Sequence, residues 1–308
     1  MESQISFSKA VEGYLLAAHA RKLSEFTIKD YLNTYRKFLD FFVDDPPIES
    51  ITSHDVENFL AAQSVSKKTL VNYHISLSAL WTWALAEGLV SGHILRNVKR
   101  AKPEKKAVKP YSEVDVREML SSLTHTKFYS RPGKDESRHK LMHAERNRAI
   151  ILLLLDTGIR SSELCELKIH QVDVRNRRIT VMGKGTKERT IPFSAPTGQA
   201  IWRYLAQRKD DTIDERLFTS KSGRPMNGDQ LLKTLKRIGE RGGIPDVTVH
   251  RFRHTFAINY LRNGGDPYSL QVMLGHSTME MVKTYLALSQ ADLEKNHRQA
   301  SPVANWRL

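Results

Sequence analysis

The chain has 308 residues, enough for about two domains and for a core that needs no disulfide or metal staples. Its 40% hydrophobic and 27% charged residues are ordinary globular usage, which excludes wholesale disorder and fibrous repeats. Forty-eight Lys and Arg against 34 Asp and Glu give a net charge of +14, which suits a polyanionic partner: nucleic acid or an anionic membrane surface.

Residues 1–100 hold 11 basic and 11 acidic side chains, so the whole positive excess falls in residues 101–308. Residues 1–100 read as helical. Phe7 to His19 is amphipathic, Ser24 caps a second helix that Asp44-Asp45-Pro46-Pro47 ends, and Thr52 or Ser53 caps a third. Ser66 caps a longer one, in which Leu70, Tyr73, Leu77, Leu80, Trp81 and Ala84 recur at steps of three and four. Four or five helices in a bundle are expected over residues 1–98. Residues 96–110, RNVKRAKPEKKAVKP, carry seven basic residues, one acidic residue and two prolines with no helical apolar period. Such a run is either a solvated charge cluster or an extended basic linker, here placed at 99–110.

Beyond Tyr111 the pattern is mixed. Ser112 caps EVDVREMLSSL, the polar stretch from His125 to His143 reads as a loop, and RNRAIILLLLDTG is a buried helix stopped by Gly158. RRITVMGKGTKERTIPF gives two β-branched runs around a Gly-Lys-Gly tip, a hairpin. Helices return in DQLLKTLKRIGERGG, HRFRHTFAINYLRNGG, SLQVMLG and MEMVKTYLALS. The fold class expected is mainly α with a small antiparallel β-sheet, and no 20–50-residue repeat suggests a solenoid. The longest apolar run, Ala149 to Leu155, is far short of the ~18 residues of a spanning helix, and the N-terminus lacks a signal pattern, so a cytoplasmic protein is expected. Cys165, the one cysteine, sits in an amphipathic run and reads as a small buried hydrophobe.

Several residues could act on a phosphodiester. Arg160 leaves a turn between Gly158 and two serines able to cap the next helix, whereas Arg253 shares a helical face with His250 three residues earlier. Two guanidinium forks can grip the non-bridging oxygens of one phosphate, although either arginine alone is an ordinary solvated charge. Lys184 at the glycine-flanked tip can donate a proton to a leaving alkoxide, or with Lys187 and Arg189 simply touch a backbone phosphate. His250 and His254 have the spacing of a zinc helix, but Arg251 stands where that motif carries glutamate, and neighbouring arginines repel a cation. His254 therefore reads as structural, while His250 and His276 can bond phosphate oxygens or take a proton. Tyr285, nine residues after His276, is by itself a core tyrosine; it becomes a nucleophile only beside cations and a base.

In that order TGIRSSELCELK, MGKGTKERTIPF, HRFRHTFAINYLRNGGDPYSLQVMLGH and the spacing to Tyr285 resemble the tyrosine recombinase (phage integrase, Xer-like) family. The resemblance implies a basic pocket of Arg160, Lys184, His250, Arg253 and His276, with Glu163 as its acidic support and Tyr285 as nucleophile. It implies a core-binding helical domain over residues 1–98, a linker, and a catalytic domain over 111–308 whose tail, 289–308, docks on a neighbouring protomer. The expected activity is site-specific DNA recombination through a 3′-phosphotyrosyl intermediate, with no cofactor or metal. Expected partners are double-stranded DNA with a specific core site, three further protomers in a tetramer on two sites, and accessory DNA-bending proteins, but no membrane. With a bundle starting within ten residues of Met1, no separate arm-binding domain of the lambda type is expected and a simple Xer-like layout is favoured. Val98 after Asn97, where the family often has proline, and the long 125–143 stretch point to a mobile-element integrase. An Xer-like resolvase, a type IB topoisomerase and a non-catalytic DNA-binding regulator on the same fold are the alternatives.

Overall fold

The structure is a computed structural model that describes residues 5–103, 109–124, 129–131, 134–137, 141, 143–183, 188–208, 215–220, 222–276 and 278–289. The chain divides into two compact units, Met1–Lys106 and Ala107–Leu308.

The first unit has four α-helices among its described residues: α1 (Phe7–Ala20), α2 (Glu25–Leu39), α3 (Ser53–Ala61) and α4 (Lys67–Ala86). Each begins at a hydroxyl side chain, from Ser6, Ser24, Thr52 and Ser66, that accepts a hydrogen bond from the backbone three residues on. Of the two expected caps for α3, Thr52 is the one used, and Asp55 reaches back to its backbone N–H. The apolar stripes meet in an aromatic core in which Phe38 packs edge-on to Phe7 and Phe59, with ring centroids 5.3 and 5.0 Å apart, and Trp81 is fully buried. Val98 also turns inward, and the Nε2 of His74 lies 3.1 Å from its carbonyl.

The second unit contains α5 (Glu113–Ser121), strands β1 (Tyr129–Arg131) and β2 (Lys134–Ser137), α6 (Ala144–Thr157) and α7 (Ser161–Glu166). It continues with β3 (Val172–Asp173), β4 (Arg178–Met182), β5 (Glu188–Pro192), α8 (Ala195–Gln207), α9 (Gly228–Gly242), α10 (Val249–Arg262), α11 (Pro267–Leu274) and α12 (Glu280–Ser289). The expected hairpin is β4–β5, with Ile179 opposite Ile191 and Val181 opposite Arg189, and β3 adds a third antiparallel strand. Helix α6 is buried on nearly every side, through Ala149, Ile150, Ile151, Leu153 and Leu154, and packs against α8 and α10.

Two features differ from the expectations. Within the 125–143 stretch, expected as a loop, β1 and β2 pair antiparallel; apart from Leu141 and His143, the rest of it lies outside the described residues. Helix α8 was not expected, although Pro196 in its first turn and Ile201 and Tyr204 on its buried face were signals for it. Its cap is not local. The Asp156 carboxylate of α6 accepts from the Ser194 N–H at 2.6 Å and from the Ser194 and Thr197 hydroxyls at 2.7 Å.

Candidate active site

Two helix ends organise the site. Helix α6 stops at Gly158, whose φ of 60° is left-handed; a Cβ there would lie 2.4 Å from the Phe256 ring. Helix α11 stops at Gly275, φ 61°, where a Cβ would lie 3.0 Å from Nη1 of Arg189. Carbonyls at a helix C-terminus lack helical partners and carry partial negative charge. Here they receive arginines. Arg189 Nε donates to Met273 O (2.8 Å), Arg253 Nη2 to Leu274 O (2.7 Å) and Arg160 Nη2 to Gly275 O (2.9 Å). Arg253 Nη1 also donates to Gly158 O at 2.8 Å, which ties the two helix ends together.

Arg160 is itself the residue preceding the first turn of α7; the serines after it lie inside the helix rather than capping it. Glu163 reaches back to accept from the Arg160 backbone N–H and from its Nη1, both at 2.8 Å. Arg189 completes the group, with Nη1 and Nη2 at 2.9 and 2.8 Å from the two Glu163 oxygens. Burial pushes the Glu163 carboxyl up, but hydrogen bonds from Arg189 and Arg160 outweigh it and hold it below the usual carboxylate range. Arg189 thus points inward and does not serve as a surface phosphate contact. Its signal was strand alternation: in ERTIPF it shares a face with the buried Ile191.

Arg253 is 5% exposed, and burial followed by the Arg160 charge lowers its pKa to about 10, so it stays protonated at neutral pH. Its Nη2 lies 2.7 Å from His276 Nε2. Burial, then Arg253, Arg160 and Arg189, bring the His276 pKa down to about 4, so the ring is neutral. The Nδ1 of His276 is enclosed and has no hydrogen-bond partner among the described residues. Tyr285, buried on α12, stacks on the His276 ring at 6.3 Å with 10° between planes, and meets the His254 ring at 5.3 Å. Burial raises the Tyr285 pKa, and the nearby Arg253 partly offsets it.

Arg160, Glu163, Arg253, His276 and Tyr285 are therefore gathered around the end of α11. His250 sits exposed in the first turn of α10, and Lys184 lies outside the described residues. His254 is half-buried rather than fully buried. Arg251 faces another way, over the Tyr111 ring at 4.1 Å and donating to Lys109 O. Among the described residues no group of three His, Cys, Asp or Glu could hold a metal ion, and no helix is long and apolar enough to cross a membrane. Cys165 is buried, and burial pushes its thiol up to about 11.

Residues 135–292 match the phage integrase family, and residues 11–89 match the phage integrase N-terminal SAM-like domain. Tyrosine recombinase XerC of Corynebacterium efficiens is 31% identical over 240 residues, covering 78% of this chain and 73% of that protein. The chain belongs to the phage integrase family of tyrosine recombinases. This tyrosine recombinase is also 30% identical to tyrosine recombinase XerA of Pyrococcus furiosus over 282 residues, 90% of each chain. In fold it resembles the Tn1549 transposon integrase, solved in complex with a circular intermediate DNA, with a TM-score of 0.72 and 21% identity across 90% of this chain and 94% of that one. The recombinase is thus a tyrosine-type, site-specific enzyme with the mainly helical fold and small antiparallel sheet expected from the sequence.

Proposed function

We propose that this recombinase attacks a DNA phosphodiester with the Tyr285 hydroxyl and rejoins the strand to a new 5′ end. The observation that carries the reading is the convergence of Arg160, Arg253, His276 and the Tyr285 ring around the end of α11. Two guanidinium groups suit the non-bridging oxygens of a phosphate and the added charge of its pentacoordinate transition state. The Arg160 side chain is 34% exposed and spends two of its N–H groups on Glu163 and Gly275, so others are free to meet a ligand.

As the Tyr285 oxygen bonds to phosphorus, the bond to the 5′ oxygen breaks and a 3′-phosphotyrosyl link forms. Lys184 gives the departing oxygen its proton. The phenolic proton needs a base, and a phosphate that draws the Arg253 fork toward itself frees His276 Nε2 to take it. His250, at the exposed start of α10, contacts the phosphate. The phosphotyrosyl bond conserves the free energy of the broken one, so the 5′-hydroxyl of a partner strand reverses the attack without metal or nucleotide. In this reading residues 1–98 are a core-binding domain that also contacts the DNA, joined to the catalytic unit by the linker 99–110. Four protomers act on two core sites, coupled by the tail 289–308, which lies outside the described residues apart from Ser289.

Mobile-element integration is the proposed setting, supported by the 125–143 stretch and by Val98 in place of a proline. Xer-like resolution is the second reading, favoured by the named relatives at 31% and 30% identity. The DNA flanking the gene separates them: direct repeats of an attachment site mark an integrase, and their absence marks a resolvase. Strand transfer separates both from a type IB topoisomerase. The recombinase should join a trapped strand to the 5′ end of a second duplex, and rejoining only within one duplex would contradict this reading.

A further inference from the structure

We propose that Arg189 is a positioning residue of the cleavage site, clamping Glu163 to the last turn of α11 and thereby holding Arg160 and His276 in place. The inference rests on the reading of the pocket given above. Strand alternation carries Arg189 to the face that buries Ile191, opposite Val181 of β4, and its side chain is only 9% exposed. A cation there is costly unless its hydrogen bonds are met, and they are: two to Glu163 and one to Met273. At that depth it acts through its neighbours rather than on substrate.

Two links lead from it to the reacting groups. The first runs through Glu163, whose oxygens also bond the backbone and Nη1 of Arg160. With Arg189 in place the carboxylate is shared. Without it the whole negative charge falls on Arg160, which becomes half of a neutral pair instead of a phosphate clamp. The second link runs through α11. Arg189 holds the Met273 carbonyl, and the Gly275 backbone rests against the guanidinium so closely that a Cβ would come within 3.0 Å. The next residue is His276. The groups facing its ring are Arg253 and His254 of α10, Arg160 before α7, Arg189 of β5 and the Tyr285 ring of α12. Removing Arg189 takes away one of the three arginines that hold it neutral.

The test uses full-length protein carrying Arg189→Met, Arg189→Lys, Glu163→Gln, or Arg189→Met with Glu163→Gln. Three quantities are read: affinity for a nicked duplex of the flanking DNA, the single-turnover rate of covalent adduct formation on it, and the NMR titration of His276 in the free protein. Arg189→Met should bind DNA nearly as wild type yet form adduct about 10- to 100-fold more slowly, by analogy with the loss of an outer hydrogen-bond partner of a metal ligand. Its His276 should titrate at higher pH. Arg189→Lys, keeping the charge and one hydrogen bond, should recover part of the rate, and the double variant should be no slower than Arg189→Met. Wild-type rate and unchanged His276 titration in Arg189→Met would overturn the clamp, as would losses that multiply in the double variant. Should Arg189→Met fail to fold, Arg189→Lys decides: slowed adduct formation with intact affinity supports the clamp, and a wild-type rate overturns it. A wild-type protein that forms no adduct contradicts the reading of the pocket instead, while the His276 titration still judges the clamp.

Discussion

Arg253 and His276 share a hydrogen bond of 2.7 Å in which the arginine must be the donor. The imidazole therefore presents its lone pair at Nε2 and carries its proton on Nδ1. A pKa near 4 agrees with this neutral form, because protonation would place a fourth cation among Arg160, Arg189 and Arg253. The His276 lone pair is thus occupied by Arg253, while burial raises the Tyr285 pKa and keeps its hydroxyl protonated at neutral pH. In the proposed mechanism both restraints lift when a phosphate engages the arginines, so the reading keeps Tyr285 idle until DNA is in place.

This depressed histidine sets a pH dependence of stability. His276 takes up its proton near 6.5 in the unfolded chain and near 4 in the folded one. Across that window the unfolded state binds the extra proton, so stability falls as pH is lowered. His254 and His74, also lowered mainly by burial, act in the same direction. Glu163, held low by its arginines, adds stability that is present above its ordinary pKa and lost as pH falls through its folded value. Urea midpoints should therefore drop between about pH 6.5 and pH 4, and His276→Asn should flatten part of that slope. Midpoints independent of pH would contradict the assignment.

The Asp156 cap of α8 gives a second test. Asp156→Ala removes the acceptor for one backbone N–H and two hydroxyls at the start of a helix that packs on α6. The expected cost is about 1–3 kcal/mol of unfolding free energy, from a lost cap and unpaired donors. A change below about 0.5 kcal/mol in urea unfolding would show that water replaces the carboxylate.

The helices with local caps and clear apolar spacing were legible in the sequence because hydroxyl caps and steps of three and four are local signals. So were the sheet's hairpin and the motifs carrying Arg160, Arg253, His276 and Tyr285. What was not legible depended on partners far along the chain. Helix α8 is capped by a carboxylate 38 residues away. Arg189 looked like one more surface cation beside Lys187 because its partners, Glu163 and Met273, come from two other elements. The state of His276 likewise follows from arginines that only the fold assembles.

Lys184 is tested by its chemistry. If it supplies the proton to the leaving 5′ oxygen, Lys184→Ala should be slow on ordinary DNA yet largely recover on a duplex whose leaving oxygen is replaced by sulfur, which departs without a proton. Equal impairment on both substrates would assign Lys184 another task.

The central claim is that Tyr285 becomes covalently joined to DNA. Wild-type protein and Tyr285→Phe, which keeps the ring stacked on His276 but lacks the oxygen, should be incubated with a nicked duplex of the flanking DNA in excess EDTA and resolved under denaturing conditions. The account predicts a protein–DNA adduct for wild type, its complete loss in Tyr285→Phe, and similar binding of the intact duplex by both. An adduct that survives in Tyr285→Phe, or one that chelation abolishes in the wild type, would contradict it.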